Sequence, residues 1–155
     1  LKNFKGVQRR MTLIKKINKK LIYDDYAHHP SEIKAVLDAC RNNFKQRRII
    51  AIFQPHRFSR LLSLYKKFLK CFNKADQVIL CPVYAAGEKS RKISLVKLAE
   101  GIIKNSKVGV VICSSIEEIE LFIKKNLFSD EVVVAMGAGS ISNWIKKISE
   151  NLKNE

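Results

Sequence analysis

The segment DDYAHHP, residues 24–30, concentrates side chains that can bind a ligand or titrate. They are two acids, a tyrosine and two histidines: Asp24, Asp25, Tyr26, His28 and His29. Carboxylates and imidazoles at this density can hold a polar ligand through hydrogen bonds. The same residues can simply begin a helix, with polar groups that cap its first turn. A metal site in which His28, His29 and His56 converge is a third reading, although no metal-ligand spacing is present.

Two arginines follow the next apolar run, in the segment FQPHRFSR at 53–60. Arg57 and Arg60 are three residues apart, so on the opening turn of a helix they would share one face. Guanidinium groups at a helix N-terminus form a strong anion site, because each can bind a carboxylate or phosphate through two parallel hydrogen bonds. Pro55 and His56 place the arginines directly after a predicted strand, which favours a binding role over two solvated side chains.

Two further loops have weaker signals. MGAGSI at 136–141 is a short glycine turn that leads into a helix and lets backbone approach a ligand or partner. It lacks the G-x-G-x-x-G spacing of dinucleotide-binding turns, and no G-x-x-x-x-G-K-[ST] occurs, so we do not expect this chain to hydrolyse ATP by itself. In the loop AAGEKSRK at 85–92, Glu88 is either a ligand contact or an exposed charge.

Five apolar, β-branched runs predict the strands that must position these loops. They lie at 20–25, 47–55, 76–82, 107–115 and 130–139. Continuous apolar runs are typical of strands buried on both faces of a parallel sheet. Helical spacing occupies the stretches after them, at 31–45, 58–73, 94–104, 115–126 and 140–152. Five strand–helix alternations predict an α/β fold with a doubly wound, mostly parallel sheet.

All four loops follow the carboxyl ends of predicted strands. In an open α/β sheet, ligands bind in the crevice outside those ends. We therefore expect residues 24–30 to meet Arg57, Arg60 and the glycine turn in one cleft. Residues 1–19 are basic and are predicted to hold no full strand or helix, as a linker or the end of a preceding domain would.

Local signals also predict how two helices begin. Pro30 suits the first turn of a helix, where its missing N–H costs nothing, and it places Glu32 near the positive end of the helix. Ser114 and Ser115 can cap the helix that follows them.

Composition narrows the function classes. With 155 residues and 46% hydrophobic residues, the chain is long enough for one domain with a substantial core. The net charge of +16 is largely explained by lysines on solvated helix faces; the alternative is a basic nucleic-acid-binding module. No run of about 18 apolar residues is present, so we expect no membrane partner. The four cysteines form no C-x-x-C pair and are expected to be reduced, as in the cytoplasm.

Taken together, DDYAHHPSEI, FQPHRFSR, VYAAGE and MGAGSI resemble, in order and approximate spacing, the Mur ligases of peptidoglycan synthesis. The resemblance is to the branch that joins L-alanine to UDP-N-acetylmuramate, and it covers nearly the whole chain. FKGVQRR at 4–10 resembles the end of the family's central ATP-binding domain. The resemblance implies a Rossmann-like C-terminal domain at 20–155, preceded at 1–19 by the tail of the central domain and a linker.

The resemblance also implies an activity. The full enzyme would use ATP and magnesium to join L-alanine to UDP-N-acetylmuramate through an acyl phosphate, with the magnesium and phosphate sites mainly in the central domain. The partners implied are L-alanine, ATP, UDP-N-acetylmuramate and the N-terminal and central domains, and neither nucleic acid nor membrane. This domain would bind L-alanine, close over ATP and be inactive alone. A truncated, non-catalytic remnant of such a ligase is the alternative.

Residue roles follow from the same resemblance. The positions implied to surround the substrate are Tyr26, His28, His56, Arg57 and Arg60. Arg57 and Arg60 would neutralise the carboxylate of L-alanine. Arg10 and Asp25 match positions near the nucleotide, Arg10 at a hinge. No residue of this domain is implied to transfer a proton or to bind a metal ion.

Overall fold

A six-stranded sheet forms the centre of the computed structural model, which describes residues 10–153. The strands are β1 (Thr12–Ile17), β2 (Lys20–Asp25), β3 (Ile49–Phe53), β4 (Gln77–Leu80), β5 (Gly109–Ile112) and β6 (Val132–Met136). Their spatial order is β1-β2-β6-β3-β4-β5. β1 runs antiparallel to β2, and every other neighbouring pair is parallel. The prediction of a doubly wound, mostly parallel α/β sheet is confirmed.

Helices cover both faces of the sheet. They are α1 (Pro30–Asn43), α2 (Phe58–Ser63), α3 (Tyr65–Phe68), α4 (Leu95–Ser106), α5 (Ile116–Asn126) and α6 (Ile141–Asn151). Helices α1 to α4 contribute to one apolar cluster, and α5 and α6 contribute to a second cluster on the opposite face. Every residue of β3 and β6 is buried, which explains why their sequences are continuous apolar runs.

The predicted helix starts at Pro30 and after Ser115 are confirmed. Pro30 is the first residue of α1, and Glu32 lies in its first turn. Ser115 Oγ accepts a hydrogen bond from the backbone N–H of Glu118 at 3.2 Å, and the Glu118 carboxylate accepts from the N–H of Ser114 at 2.6 Å. The first bond satisfies an N–H group that the helix itself leaves unbonded, and the second holds the chain just before the cap.

The expectation that residues 1–19 hold no full strand was wrong, because residues 12–17 form β1. This strand pairs with β2 at the edge of the sheet, and its register is irregular between Leu13 and Lys15. Only Ile17 is buried, so β1 lacks the apolar run that marks the other strands. Residues 1–9, with most of the FKGVQRR segment, lie outside the described residues.

The single helix predicted at 58–73 is also wrong. α2 ends at Ser63 and α3 begins at Tyr65, since Leu64 between them has φ −112° and ψ 16°, outside the α-helical region. Leu61 and Phe68 are nevertheless both buried in the same apolar cluster. No proline or glycine marks the break, so helical periodicity runs through it unaltered.

Candidate functional site

Four rings from three loops form a row at the carboxyl ends of β2, β3 and β4. The Tyr26 and His28 rings meet edge to face with centroids 4.9 Å apart, and the His28 and His56 centroids are 5.8 Å apart. His56 stacks on Tyr84 at 5.6 Å with an angle of 19° between the ring planes. The structure therefore brings Tyr26, His28 and His56 together, as expected for loops that follow neighbouring parallel strands. We call these four rings the ring row.

Arg60 is bonded to the ring row through His56. Its Nη1 donates to His56 Nδ1 at 2.9 Å and to the His56 carbonyl oxygen at 3.0 Å. Because a guanidinium can only donate, His56 Nδ1 must accept and therefore carries no proton. Burial and then the charge of Arg60 lower the pKa of His56 below its ordinary value. Arg60 is thus a half-buried cation held in a fixed orientation beside a neutral imidazole.

Arg57 is placed differently from the expectation. It is the residue before α2, not part of its opening turn, and its φ is +71°. Helical spacing therefore does not relate its side chain to that of Arg60. Its backbone N–H donates to the carbonyl oxygen of Tyr84 at 2.8 Å, while its side chain is exposed. Within residues 10–153 the Arg57 guanidinium has no hydrogen-bond or ion-pair partner.

The two adjacent histidines have different roles. His28 Nδ1 lies 2.8 Å from the Tyr26 carbonyl oxygen, and the His28 ring belongs to the ring row. His29 caps α1, with its Nδ1 2.8 Å from Ser31 Oγ, and the Glu32 carboxylate accepts the N–H groups of both histidines at 3.0 Å. Burial acts to raise the pKa of Glu32, but these two N–H donors and the imidazoles outweigh it, and the pKa is lowered.

The three histidines considered for a metal site do not form one in the described part of the chain. His29 is occupied with the start of α1 rather than with His28 and His56. Among residues 10–153, no three His, Cys, Asp or Glu side chains are arranged so that they could hold a metal ion.

Asp25 and Arg10, the residues implied to lie near a nucleotide, border a separate pocket. Asp25 is buried, its Oδ1 accepting the N–H of Ala27 at 2.7 Å and its Oδ2 that of Met11 at 2.8 Å. Burial raises the pKa of Asp25, although both N–H groups and the charge of Arg10 act to lower it. The pocket, of about 470 Å³, is lined by Arg10, Asp25, Tyr26 and the outer face of α1. Tyr26 therefore connects this pocket to the ring row.

Sequence reasoning missed Tyr84. Its ring is 40% exposed, stacks on His56 and ends the ring row. The glycine turn at 137–140 packs against it, because a Cβ added to Gly139 would lie 2.4 Å from Tyr84 Cγ. The turn was expected to let backbone approach a ligand or partner; the group it approaches here is a side chain of the same domain. The available signal was an aromatic residue directly after a strand, inside the VYAAGE motif.

Gln54 is a second residue that the sequence did not single out. Its side chain is buried, its Nε2 donates to Ser140 Oγ at 2.8 Å, and its Oε1 accepts the N–H of Ile141 at 3.1 Å. Gln54 therefore ties the end of β3 to the start of α6.

The four cysteine thiols add no reactive group to the site. Burial raises the pKa of every cysteine thiol, to about 11 for Cys40 and about 12 for Cys71 and Cys81. All four cysteines are free and buried, so none presents a reactive thiolate. None of the helices in the described residues combines the length and apolar character needed to cross a membrane.

Comparison with known proteins gives consistent matches. Residues 9–139 match the family model described as Mur ligase, glutamate ligase domain. The UDP-N-acetylmuramate–L-alanine ligase of Pelagibacter ubique is 48% identical over 151 residues, covering 97% of this chain and 32% of that protein. The corresponding ligase of Sulfurihydrogenibium is 43% identical, covering 100% of this chain and 34% of that protein. The chain thus spans about a third of the length of the curated relatives it matches.

Solved structures agree with the sequence relatives. The crystal structure of the UDP-N-acetylmuramate-alanine ligase from Thermotoga maritima superposes with a TM-score of 0.73 at 26% identity, covering 92% of this chain and 29% of that chain.

Proposed function

This chain belongs to the Mur ligase family, and from that premise we propose that it is the C-terminal domain of an ATP-dependent ligase that joins L-alanine to UDP-N-acetylmuramate in peptidoglycan synthesis. The relatives that support this activity are about three times as long as the chain, so the remaining substrate sites are assigned to the rest of such an enzyme. We retain 20–155 as the domain proper and 1–19 as the connection to the central domain, although β1 pairs with β2. The reaction is placed in the cytoplasm.

The observation that carries the proposal is the ring row with its two arginines. L-Alanine presents one carboxylate, one amine and one methyl group. The Arg57 guanidinium is exposed and Arg60 is fixed by His56, and we assign both to the carboxylate of L-alanine. Tyr26, His28 and His56 then provide the aromatic wall of the pocket. Two guanidinium groups at this site favour an anionic group of the substrate over a cationic one.

The contribution of the domain to the reaction is positioning. ATP phosphorylates the lactyl carboxylate of UDP-N-acetylmuramate, the amine of L-alanine attacks the acyl phosphate, and phosphate leaves. Orienting the amine and neutralising the nearby carboxylate can lower such a barrier by several kcal/mol, on the order found for oriented intramolecular reactions. We assign no proton transfer to any residue of this domain.

We propose that Arg10 contacts the nucleotide in the pocket beside α1, and that Asp25 holds the backbone that forms one side of this pocket. Both Asp25 oxygens already accept backbone N–H groups, so its role is to fix the chain around Met11 and Ala27. The described residues do not fit a magnesium site, since no three His, Cys, Asp or Glu side chains among them are arranged to hold a metal ion. Magnesium and the phosphate groups are assigned mainly to the central domain.

The test is steady-state kinetics of the full-length ligase, measured as alanine-dependent phosphate release. Arg57→Ala removes a charged hydrogen-bonding group, which is worth about 1.5–3 kcal/mol, so the KM for L-alanine should rise on the order of 10- to 100-fold. The KM values for ATP and UDP-N-acetylmuramate should change little.

Lys104→Ala, at an exposed position in the last turn of α4, is the matched control and should leave all three KM values unchanged. An unchanged alanine KM in Arg57→Ala would remove Arg57 from the substrate site. A folded full-length protein that releases no phosphate with alanine would instead support the reading of a non-catalytic remnant.

A further inference from the structure

Glu88 makes a contact that neither the motifs nor the proposed reaction explains. One of its carboxylate oxygens accepts the backbone N–H of Ser59 at 3.1 Å, and the other accepts a short hydrogen bond from Ser59 Oγ. These bonds, together with the N–H of Phe58, lower the pKa of Glu88, so it is a carboxylate at neutral pH. Glu88 belongs to the loop after β4, while Phe58 and Ser59 open α2. The contact therefore links two loops of the site.

The start of α2 depends on this acceptor. The first N–H groups of a helix have no partner inside the helix and need one from elsewhere. Arg57 occupies the capping position, but its side chain makes no capping hydrogen bond. Its φ of +71° is also unfavourable for a residue with a Cβ, so the surroundings must hold it there.

Tyr84 holds the same segment from its other side. The Tyr84 N–H donates to the Pro55 carbonyl oxygen at 2.8 Å, and the Tyr84 carbonyl oxygen accepts the Arg57 N–H at 2.8 Å. These two bonds form an isolated parallel bridge between His56 and Tyr84. The loop at 84–88 is thus hydrogen-bonded to residues 55–59 at Pro55 and Arg57, through Tyr84, and at Ser59, through Glu88.

We propose that Glu88 is a positioning residue for L-alanine binding, acting through the first turn of α2 on Arg57 and Arg60. The Glu88 carboxylate is bonded to Ser59, so it acts on the substrate site through that contact. It fixes the first turn of α2, which contains Arg60 and directly follows Arg57, and with the Tyr84 bridge it maintains the positive φ of Arg57. This inference rests on the proposed function, since it concerns the same pocket.

The experiment uses the full-length ligase with Glu88→Gln. Glutamine has the same size and its Oε1 can still accept from the Ser59 N–H, but its Nε2 is a donor that cannot accept from the Ser59 hydroxyl, and the negative charge is lost. The expected result is an alanine KM raised about tenfold, equivalent to about 1.4 kcal/mol, with kcat at saturating alanine and the other two KM values within about twofold. Ser59→Ala keeps the backbone donor and should raise the alanine KM less than Glu88→Gln does.

Glu150→Gln, at an exposed position near the end of α6, is the matched control and should change nothing. A merely structural role for Glu88 would reduce the folded fraction, and hence kcat, with every KM unchanged; that result overturns the inference. Glu88→Gln and Arg57→Ala should together have less than the product of their separate effects on the alanine KM. Fully multiplicative effects would also overturn it.

Failure of the inference and failure of the proposed function are distinguishable. If Arg57→Ala raises the alanine KM and Glu88→Gln does not, only the positioning role of Glu88 is lost. If neither substitution changes the alanine KM, the substrate assignment fails and the inference fails with it.

Discussion

At the scale of residues, His56 connects the two kinds of group in the site. It stacks on Tyr84, lies beside His28 and accepts a hydrogen bond from Arg60. If His56 Nδ1 were protonated, two N–H donors would face each other and the hydrogen bond from Arg60 would be lost. The contact between Arg60 and the ring row therefore requires a neutral imidazole.

This geometry predicts a pH dependence of folding. Burial first, and then Arg60, His28 and Arg57, lower the pKa of His56 in the folded state, while Glu88 acts weakly in the other direction. In the unfolded chain, His56 is expected to have the ordinary histidine pKa of about 6.5. The contribution of His56 to stability is therefore fully present above about pH 6.5 and is lost as the pH falls toward the lower folded pKa, because the unfolded state binds more protons there.

Urea denaturation at about pH 7.5 and about pH 5.5 measures this effect. The wild-type chain should lose more stability between the two conditions than His56→Gln, whose amide oxygen can still accept from Arg60 but does not titrate. Equal losses in the two proteins would assign the pH dependence to other groups.

The order of strands and loops was enough to predict that the segment 24–30 meets the loop after β3, and the ring contacts of His28 with Tyr26 and His56 agree with this. Their roles toward L-alanine, and those of Arg10 and Asp25 toward a nucleotide, stay predictions. Tyr84 was missed because a lone aromatic residue in a loop resembles many exposed tyrosines until its neighbours are known. The position of Arg57 before α2 was missed because spacing between residues does not reveal a left-handed backbone angle.

At the scale of elements, β1 and α6 are joined by one lysine. Lys15 Nζ donates to the carbonyl oxygens of Ser149 and Leu152 at 2.7 and 2.6 Å, at the C-terminal end of α6. Those carbonyls have no partner within the helix, and a cation near them is favoured by the helix dipole. An edge strand with little buried surface is thereby attached to the body of the domain.

Replacing this lysine should destabilise the domain. Lys15→Met retains the aliphatic stem and removes the two charged hydrogen bonds, so we expect the free energy of unfolding to fall by about 1–2 kcal/mol. Lys16→Met is the control, because Lys16 lies next in β1 but is exposed, and it should change stability by less than about 0.5 kcal/mol. Chemical denaturation measures both; equal effects would show that the contact with α6 contributes nothing.

The elements with strong periodicity were predictable, and those without it were not. β3 and β6 are buried on both faces and read as continuous apolar runs. β1 was overlooked because an edge strand needs few apolar residues and is held by backbone pairing with β2. The break at Leu64 escaped prediction because it depends on how α2 and α3 pack, not on a helix-breaking residue.

At the scale of the whole molecule, the residues behind the net charge of +16 are distributed over many elements, and some of them make hydrogen bonds and ion pairs within the domain. Arg41 donates to the carbonyl oxygens of Lys74 and Arg47 and pairs with Asp76. Lysines occupy the last turns of α4 and α5, where a positive charge interacts favourably with the negative end of the helix dipole. A continuous basic surface for nucleic acid is not needed to explain the composition.

Nucleic-acid binding should therefore be weak and nonspecific. Fluorescence anisotropy with a short labelled DNA at about 150 mM salt should give a Kd no tighter than about 10⁻⁶ to 10⁻⁴ M, the range for nonspecific electrostatic binding. A tighter Kd with preference for particular sequences would contradict the ligase-domain reading of the charge. The same assay on an RNA of equal length is the companion measurement.

The strand order has a consequence for how this chain emerges from the ribosome. β6 lies between β2 and β3 and pairs with both, yet it is the last strand to be synthesised. At about 5–20 residues per second, the roughly 80 residues between β3 and β6 take on the order of ten seconds to translate. During that interval two apolar strands expose the backbone edges that β6 will later occupy. Lys19 precedes β2 and Lys20 is its first residue, and Arg47 and Arg48 precede β3. These charges disfavour aggregation of the nascent strands before the sheet is complete.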